Sequence, residues 1–114
     1  MPRGEEGKFQ DKIISWLEKR AFVTKFNANG LTKTGIPDII FCYKGGYFGL
    51  EVKKETGIIS DMQQRNLFEI RKNGGVAWCI KPSNWSQFKL LFERGDFDEI
   101  TKISKENEKE ITKI

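Results

Sequence analysis

The sequence predicts one α/β domain in which helices flank a mixed central sheet. A helical spacing of apolar residues opens the chain, and three short runs rich in β-branched and aromatic residues follow it. A second helical pattern then precedes a further apolar run and a third helix. This order of α, β, β, β, α, β, α is typical of helices packed on a sheet. At 114 residues, the chain is expected to bury a single modest core.

The first helix is predicted over residues 5–19. Its buried stripe is formed by apolar residues at helical spacing, which are Phe9, Ile13, Trp16 and Leu17. Glu6 precedes Phe9 by three positions, so its carboxylate is expected on or near that stripe. The run at residues 21–27 predicts the first strand, and glycines and a proline mark the loop after it.

The next two strands are predicted at residues 38–43 and 47–53, joined as a hairpin. Gly45 and Gly46 are well suited to the positive φ values of a two-residue turn. Side chains alternate between the two faces of a strand, so one face of this hairpin is predicted core. Its members are Ile39, Phe41, Phe48, Leu50 and Val52.

The opposite face of the hairpin carries the polar side chains. With a Gly45-Gly46 turn, Asp38 lies opposite Lys53, and Glu51 lies opposite the neighbouring position Ile40. The side chains of Asp38, Glu51 and Lys53 then share this face. The diagonal between the two carboxylates is expected to be roughly 7 Å between Cβ atoms or less, which is close enough to share a cation.

The remaining elements follow from spacing and punctuation. A second helix is predicted from Ser60 to about residue 72 and is closed by Gly74. The run at residues 75–80 is apolar on both faces, which favours a strand inside the sheet. Ser83 or Asn84 is expected to cap a third helix.

The domain is predicted to span residues 1–95. Residues 96–114 are rich in lysine and glutamate, with sparse isoleucines. They are expected to form a charged helix or tail of the same domain.

Composition limits the chemistry. A net charge of +4 and a pI near 9.1 indicate a mild preference for anionic partners. Cys42 and Cys79 lie in apolar runs and are predicted to be buried free thiols of an intracellular protein without a membrane span. The chain contains no histidine, so neither an imidazole base nor the usual zinc ligands are present.

Two carboxylates and an ammonium on one strand face are costly unless they neutralise each other or bind a metal. Oxygen ligands without nitrogen or sulfur favour a hard ion such as Mg²⁺ or Mn²⁺. Such an ion commonly serves phosphate chemistry. Asp38, Glu51 and Lys53 are therefore candidates for a site that acts on a phosphate ester.

These residues also carry a family resemblance. Pro37-Asp38 followed by Glu51-Val52-Lys53 resembles the signature of the PD-(D/E)XK nuclease superfamily, and the predicted αβββαβ order resembles its restriction-endonuclease-like core. Further features resemble the VRR-NUC branch: Glu6 before a helix, Gly35-Ile36 before the Pro-Asp pair, Gly57, Ser60-Asp61-Met62-Gln63 and Gly74-Gly75. The resemblance covers about residues 5–92.

The resemblance implies a Mg²⁺- or Mn²⁺-dependent DNA endonuclease. Asp38, Glu51 and the Val52 carbonyl would be metal ligands, and Lys53 would be the catalytic lysine. Glu6 would be the acidic residue of the first helix, although Glu5 is adjacent and the sequence leaves that choice open.

Gln63 would reach back to the site. It has a second reading, because Ser60-x-x-Gln63 is a capping box in which both side chains satisfy helix N-terminal amides. Lys33 and Thr34, in the loop that leads to Asp38, and also Lys25, are candidates for contacts with DNA phosphates.

Small stand-alone members of the branch, many of them encoded by phages, are homodimeric structure-specific endonucleases. The resemblance therefore implies a homodimer acting on branched DNA, with a four-way (Holliday) junction as the favoured substrate. Two symmetric nicks need two active sites, which a homodimer supplies. The alternatives are a nicking, flap or restriction-like nuclease, or a basic nucleic-acid-binding module without catalysis. No membrane partner and no nucleotide cofactor are expected.

Overall fold

The computed structural model describes residues 4–25 and 35–103, except for the side chain of Lys25. It contains three bounded helices, which are α1 (Glu5–Glu18), α2 (Asp61–Lys72) and α3 (Pro82–Arg94). Its four strands are β1 (Phe22–Lys25), β2 (Ile39–Tyr43), β3 (Gly46–Val52) and β4 (Val76–Ile80). The order of elements is the predicted one.

The four strands form one sheet in the order β1-β2-β3-β4. The pairs β1–β2 and β2–β3 are antiparallel, whereas β4 runs parallel to β3. The helix α2 provides the crossover between the two parallel strands. The predicted fold class, a mixed central sheet flanked by helices, is confirmed.

The prediction that residues 75–80 lie inside the sheet is wrong. Within residues 4–25 and 35–103, β4 is an edge strand and β3 is interior. Val76, Ala77, Trp78 and Ile80 are nevertheless buried, because helices cover β4. The ring of Trp78 packs edge-on against Phe88 of α3 at 5.3 Å between centroids, and Arg71 of α2 donates to the Ala77 carbonyl. Burial by helices on both faces therefore gives an edge strand an apolar sequence.

The predicted core face of the hairpin is confirmed. All five of its residues are at most 2% exposed, which are Ile39, Phe41, Phe48, Leu50 and Val52. They pack with apolar residues of α1 and α3. On the opposite face, Cys42 is exposed, so the prediction that this thiol is buried is wrong; Cys79 is half-buried.

The hairpin turn lies one residue earlier than predicted. Lys44 and Gly45 have φ values of 47° and 81°, and Tyr43 pairs with Gly46. Lysine accepts this left-handed conformation at some cost, whereas glycine adopts it freely. The register brings Phe41 directly opposite Phe48, and their rings stack at 4.7 Å between centroids. This cross-strand aromatic pair stabilises the observed register.

The helix boundaries show one confirmed cap and one corrected cap. Ser60 caps α2, as predicted. Helix α3 begins at Pro82 with Lys81 at the N-cap, two residues before the predicted cap at Ser83 and three before Asn84. Proline suits the first helical position because it has no N–H to satisfy.

The described part of the charged C-terminal region is helical. Residues 97–103 form this helix, in which Ile100 is fully buried. The Ile100 carbonyl accepts a 3.0 Å hydrogen bond from the Trp78 indole. Residues 104–114 lie outside the described part of the chain. Among the described residues, no helix is both long and apolar enough to cross a membrane.

Candidate active site

The candidate site lies on the polar face of the sheet, at the carboxyl ends of β3 and β4. Ile39 pairs with Leu50, and continuing this antiparallel register puts Asp38 opposite Glu51. The predicted pairs of Asp38 with Lys53 and Ile40 with Glu51 are therefore wrong. The two carboxylates are direct cross-strand neighbours, which places them closer together than the predicted diagonal.

Two backbone features hold Asp38 in place. Gly35 has a φ of 82° and lies so close to α2 that a Cβ there would come within 2.6 Å of the Met62 Cγ. Pro37, next to Asp38, is buried. The Asp38 Oδ2 then accepts a 2.8 Å hydrogen bond from the Val52 N–H. This bond fastens the carboxylate to the strand that carries Glu51.

Glu51 is a buried acid with incomplete hydrogen bonding. The residue is 1% exposed, and its Oε1 accepts a 2.8 Å hydrogen bond from the Gln63 side chain. Its Oε2 is buried without a hydrogen-bond partner. Burial first, and then the charge and hydrogen bond of Asp38, raise the pKa of Glu51 to about 9. Without a cation, Glu51 therefore holds a proton at neutral pH.

Lys53 lies beside this pair on the same face. Its Nζ is 3.8 Å from the Glu51 Oε1, and its side chain is 15% exposed. The Lys53 N–H donates to the Ile80 carbonyl at 3.0 Å, which extends the β3–β4 ladder by one residue. A Cβ at Gly57 would lie 3.1 Å from the Lys53 Cβ, so the absence of a side chain at this glycine lets the loop pack closely against the lysine stem. The ammonium is thereby held at the site by backbone and packing.

Gln63 both completes the predicted capping box and contacts Glu51. Its Oε1 accepts from the Ser60 N–H at 2.9 Å, and its N–H donates to the Ser60 Oγ at 3.1 Å, which completes the capping box. Its side-chain amide also donates to Glu51. The cap therefore orients the amide group toward the buried acid.

Glu6 also reaches the site. Its side chain is half-buried, and its Oε1 accepts a 3.2 Å hydrogen bond from the Lys54 N–H. The charge of Glu6 contributes to the raised pKa of Glu51. Glu5 is exposed. Of the two acids at the start of α1, Glu6 is the one near the site.

Sequence reasoning missed the contribution of β4. Cys79 pairs with Glu51 in the parallel register and shares its face. Burial raises the pKa of the Cys79 thiol to about 11, and among the charges around it Lys81 acts most strongly in the opposite direction. The sequence identified β4 but not its neighbour. Pairing its carboxyl end with that of β3 would have placed Cys79 and Lys81 at the site.

A carboxylate clamp closes the loop after Lys53. The Glu55 Oε1 accepts from the Ser83 N–H, and its Oε2 accepts from the Ser83 hydroxyl, both at 2.8 Å. The Glu55 charge therefore lies at the N-terminus of α3, where the helix dipole favours an anion. The clamp joins the segment after β3 to the helix after β4.

The residues present suit a hard cation. Within the described part of the chain, no three carboxylate or thiol side chains are grouped closely enough to form a metal site by themselves. Mg²⁺ needs only one or two carboxylates, because it keeps several waters and also binds substrate phosphates. Asp38 and Glu51 supply two carboxylates, and the Glu51 Oε2 is a buried acceptor without a partner. That orphan oxygen is the observation that fits a metal ligand.

The structure brings five predicted site residues together, which are Glu6, Asp38, Glu51, Lys53 and Gln63. The Val52 carbonyl as a metal ligand stays a prediction. Lys33 and Thr34 lie outside the described residues, as does the side chain of Lys25. Their contacts with DNA stay predictions.

Comparison with known proteins supports the fold. The chain is similar to the solved structure of a VRR_NUC domain protein, with a TM-score of 0.53 and 17% sequence identity over 71% of this chain and 80% of that one. At this identity the similarity establishes the fold, which is the one that the resemblance implied. No family model and no curated protein matches the chain.

Proposed function

We propose that the chain is a Mg²⁺- or Mn²⁺-dependent DNA endonuclease. The observation that carries the proposal is the pair of opposed carboxyl groups, Asp38 and Glu51. The Glu51 Oε2 is buried without a hydrogen-bond partner, and the Lys53 Nζ lies 3.8 Å from the Glu51 Oε1. A bound cation would replace the proton of Glu51 and turn a costly buried acid into a ligand. The fold similarity to a VRR_NUC domain protein supports the same assignment.

Each residue has a distinct task in this proposal. Asp38 and Glu51 would hold the cation, which supplies Lewis-acid activation of a phosphoryl oxygen and of water. Lys53 would position the attacking water and offset charge that develops on the phosphate. Gln63 orients Glu51 through its amide hydrogen bond, and Glu6 adds a carboxylate at the edge of the site that can accept a proton from water.

We further propose that the substrate is branched DNA, with a four-way junction favoured, and that the enzyme acts as a homodimer. One small domain provides one site, and two symmetric nicks require two. One row of residues across the sheet is a candidate surface for self-association. In this row Phe22 of β1 pairs with Cys42 of β2, and Cys42 pairs with Tyr47 of β3. Phe22 is 78% exposed and Tyr47 is 49% exposed, so this cross-strand row presents apolar surface to solvent.

The test is cleavage of labelled four-way junction, flap, single-stranded and duplex DNA by the purified protein with Mg²⁺ or Mn²⁺. The proposal predicts metal-dependent cleavage, fastest on the junction, and a dimeric mass in solution. Faster cleavage of flaps or linear duplex would replace the junction with that substrate and keep the nuclease. Metal-independent binding without cleavage of any DNA would contradict the nuclease and favour a binding module.

A further inference from the structure

The carboxyl end of β4 contributes a second lysine to the candidate site. Val52 pairs with Ile80 in the parallel register, and the bond from the Lys53 N–H to the Ile80 carbonyl continues that ladder. The next residues, Lys53 and Lys81, are therefore neighbours at adjacent strand ends. The carboxyl ends of parallel strands lie at one edge of a sheet, where ligand sites commonly form.

Backbone conformation fixes the face on which Lys81 lies. Its φ of −124° and ψ of 162° are extended, so the alternation of β4 continues through it. Ile80 is fully buried in the core, which puts Lys81 on the opposite face with Cys79. Since Cys79 pairs with Glu51, Lys81 shares the face of the candidate metal ligands.

The charge of Lys81 lies at an unfavourable position for a helix. Lys81 occupies the N-cap of α3, where the positive end of the helix dipole disfavours a cation by about 0.3–1 kcal/mol. N-cap positions favour short polar side chains. Here the capping contacts come from Asn84, which accepts from the Lys81 N–H, and from Glu55, which accepts from the Ser83 N–H and hydroxyl. Among the described residues, no carboxylate forms an ion pair with the Lys81 ammonium.

Two lysines side by side on one face also repel each other. The Lys53 Nζ lies 3.8 Å from the Glu51 Oε1, whereas no carboxylate of the described residues forms an ion pair with Lys81. A residue that breaks a local rule beside a site is expected to have a functional reason. An anion bound between the two ammonium groups would remove the repulsion and satisfy both.

We propose that Lys81 binds a backbone phosphate of the nucleic-acid substrate at the active site, beside the phosphate held at Asp38, Glu51 and Lys53. This inference rests on the proposed nuclease function. It adds a binding residue from β4 to the site that β2 and β3 form. The charge alone is required, so Arg can replace Lys at this position, whereas Ala cannot.

The test compares cleavage kinetics of the wild type with Lys81→Ala, Lys81→Arg and Lys72→Ala at several salt concentrations. Lys72 is an exposed lysine in the last turn of α2, at the opposite end of that helix from Gln63, and it serves as the charge-matched control. Lys81→Ala should raise KM by about tenfold or more with a smaller change in kcat. The slope of log(kcat/KM) against log[salt] should become shallower by about 0.9 on duplex arms, because one phosphate contact is lost. Lys81→Arg should restore both values.

The outcomes separate this inference from the proposed function. If the wild type cleaves DNA and Lys81→Ala matches it in KM and salt slope, the inference is overturned while the nuclease stands. If Lys81→Ala lowers kcat and melting temperature together, with an unchanged salt slope, Lys81 has a structural role and the inference is also overturned. A wild type that neither binds nor cleaves DNA overturns both.

Discussion

Asp38 and Glu51 face each other across β2 and β3, and their carboxyl groups interact at a position where Glu51 is 1% exposed. Two carboxyl groups on directly opposed residues do not both ionise readily in a buried site. In the absence of a cation, a proton on Glu51 resolves the repulsion. A cation bound between the two carboxyl groups would relieve the same repulsion, so the site favours a positive charge.

The stability of the metal-free protein should depend on pH through Glu51. The pKa of this carboxyl is raised from 4.5 to about 9 in the folded state, so between these values the folded protein binds more protons than the unfolded one. The free energy of unfolding should therefore fall as pH rises through this window, by up to about 1.4 kcal/mol per pH unit from this group. Urea unfolding in a chelator at several pH values measures it.

Glu51→Gln is the control for that pH series. Glutamine has nearly the same shape and does not titrate, so the difference in stability between variant and wild type isolates the Glu51 contribution. The free energy of unfolding of the variant, relative to that of the wild type, should rise steadily from pH 5 to pH 9. Parallel pH curves for the two proteins would contradict the buried, protonated state of Glu51.

Divalent cations should stabilise the wild type at neutral pH. A ligand that binds the folded state alone raises stability according to its concentration relative to Kd, by about 2.7 kcal/mol at a hundredfold excess. The melting temperature in Mg²⁺ or Mn²⁺ should therefore exceed that in chelator, and the increase should grow with pH as the proton on Glu51 is more easily displaced. Glu51→Gln and Asp38→Asn should lose most of this increase. An equal increase in all three proteins would assign the cation to another location.

Variants of Ser60 and Gln63 should distinguish the role of Gln63 in helix capping from its role at the candidate site. Ser60→Ala removes one hydrogen bond of the capping box and should lower stability by about 1 kcal/mol while leaving cleavage nearly unchanged. Gln63→Glu retains the capping acceptor but replaces the amide donor to Glu51 with a carboxylate. It should reduce cleavage by tenfold or more, since it adds a negative charge beside Glu51. Equal losses of cleavage in both variants would mean that Gln63 acts through the cap alone.

The helix at residues 97–103 should belong to the stable fold. Ile100 is fully buried, and Ile100→Ala should lower the free energy of unfolding by about 2–5 kcal/mol. Ile58 is 87% exposed and provides a matched control, for which the same substitution should change stability by less than about 0.5 kcal/mol. Chemical denaturation measures both variants. Similar small effects would place residues 97–103 outside the cooperative unit.

The shared face of the acids and the lysine was predictable because it depends on alternation alone. Moving the turn from Gly45-Gly46 to Lys44-Gly45 shifts every pair by two positions in total, and a shift of two keeps each side chain on its face. The identity of the opposed residues was not predictable from the turn. The opposed residues follow from the observed register, in which Phe41 stacks on Phe48, and the sequence does not reveal that pairing.

The contribution of β4 to the candidate site could not be predicted from local sequence patterns. An apolar strand is equally consistent with an interior position and with an edge covered by helices, and only the tertiary arrangement decides. Cys79 and Lys81 enter the site because β4 runs parallel to β3, which is a long-range pairing. The capping box of Gln63, by contrast, was predictable from local spacing, whereas its reach toward the site was implied by the family resemblance, because the contact joins α2 to β3.

The most direct test of the account is metal-dependent cleavage of a labelled four-way junction by the wild type and by Asp38→Ala, Glu51→Ala and Lys53→Ala. Cleavage should require Mg²⁺ or Mn²⁺ and fall by at least a hundredfold in each variant, while junction binding persists. Lys72→Ala should cleave like the wild type. Cleavage that is unchanged in all three site variants would contradict the assignment of this face as the active site.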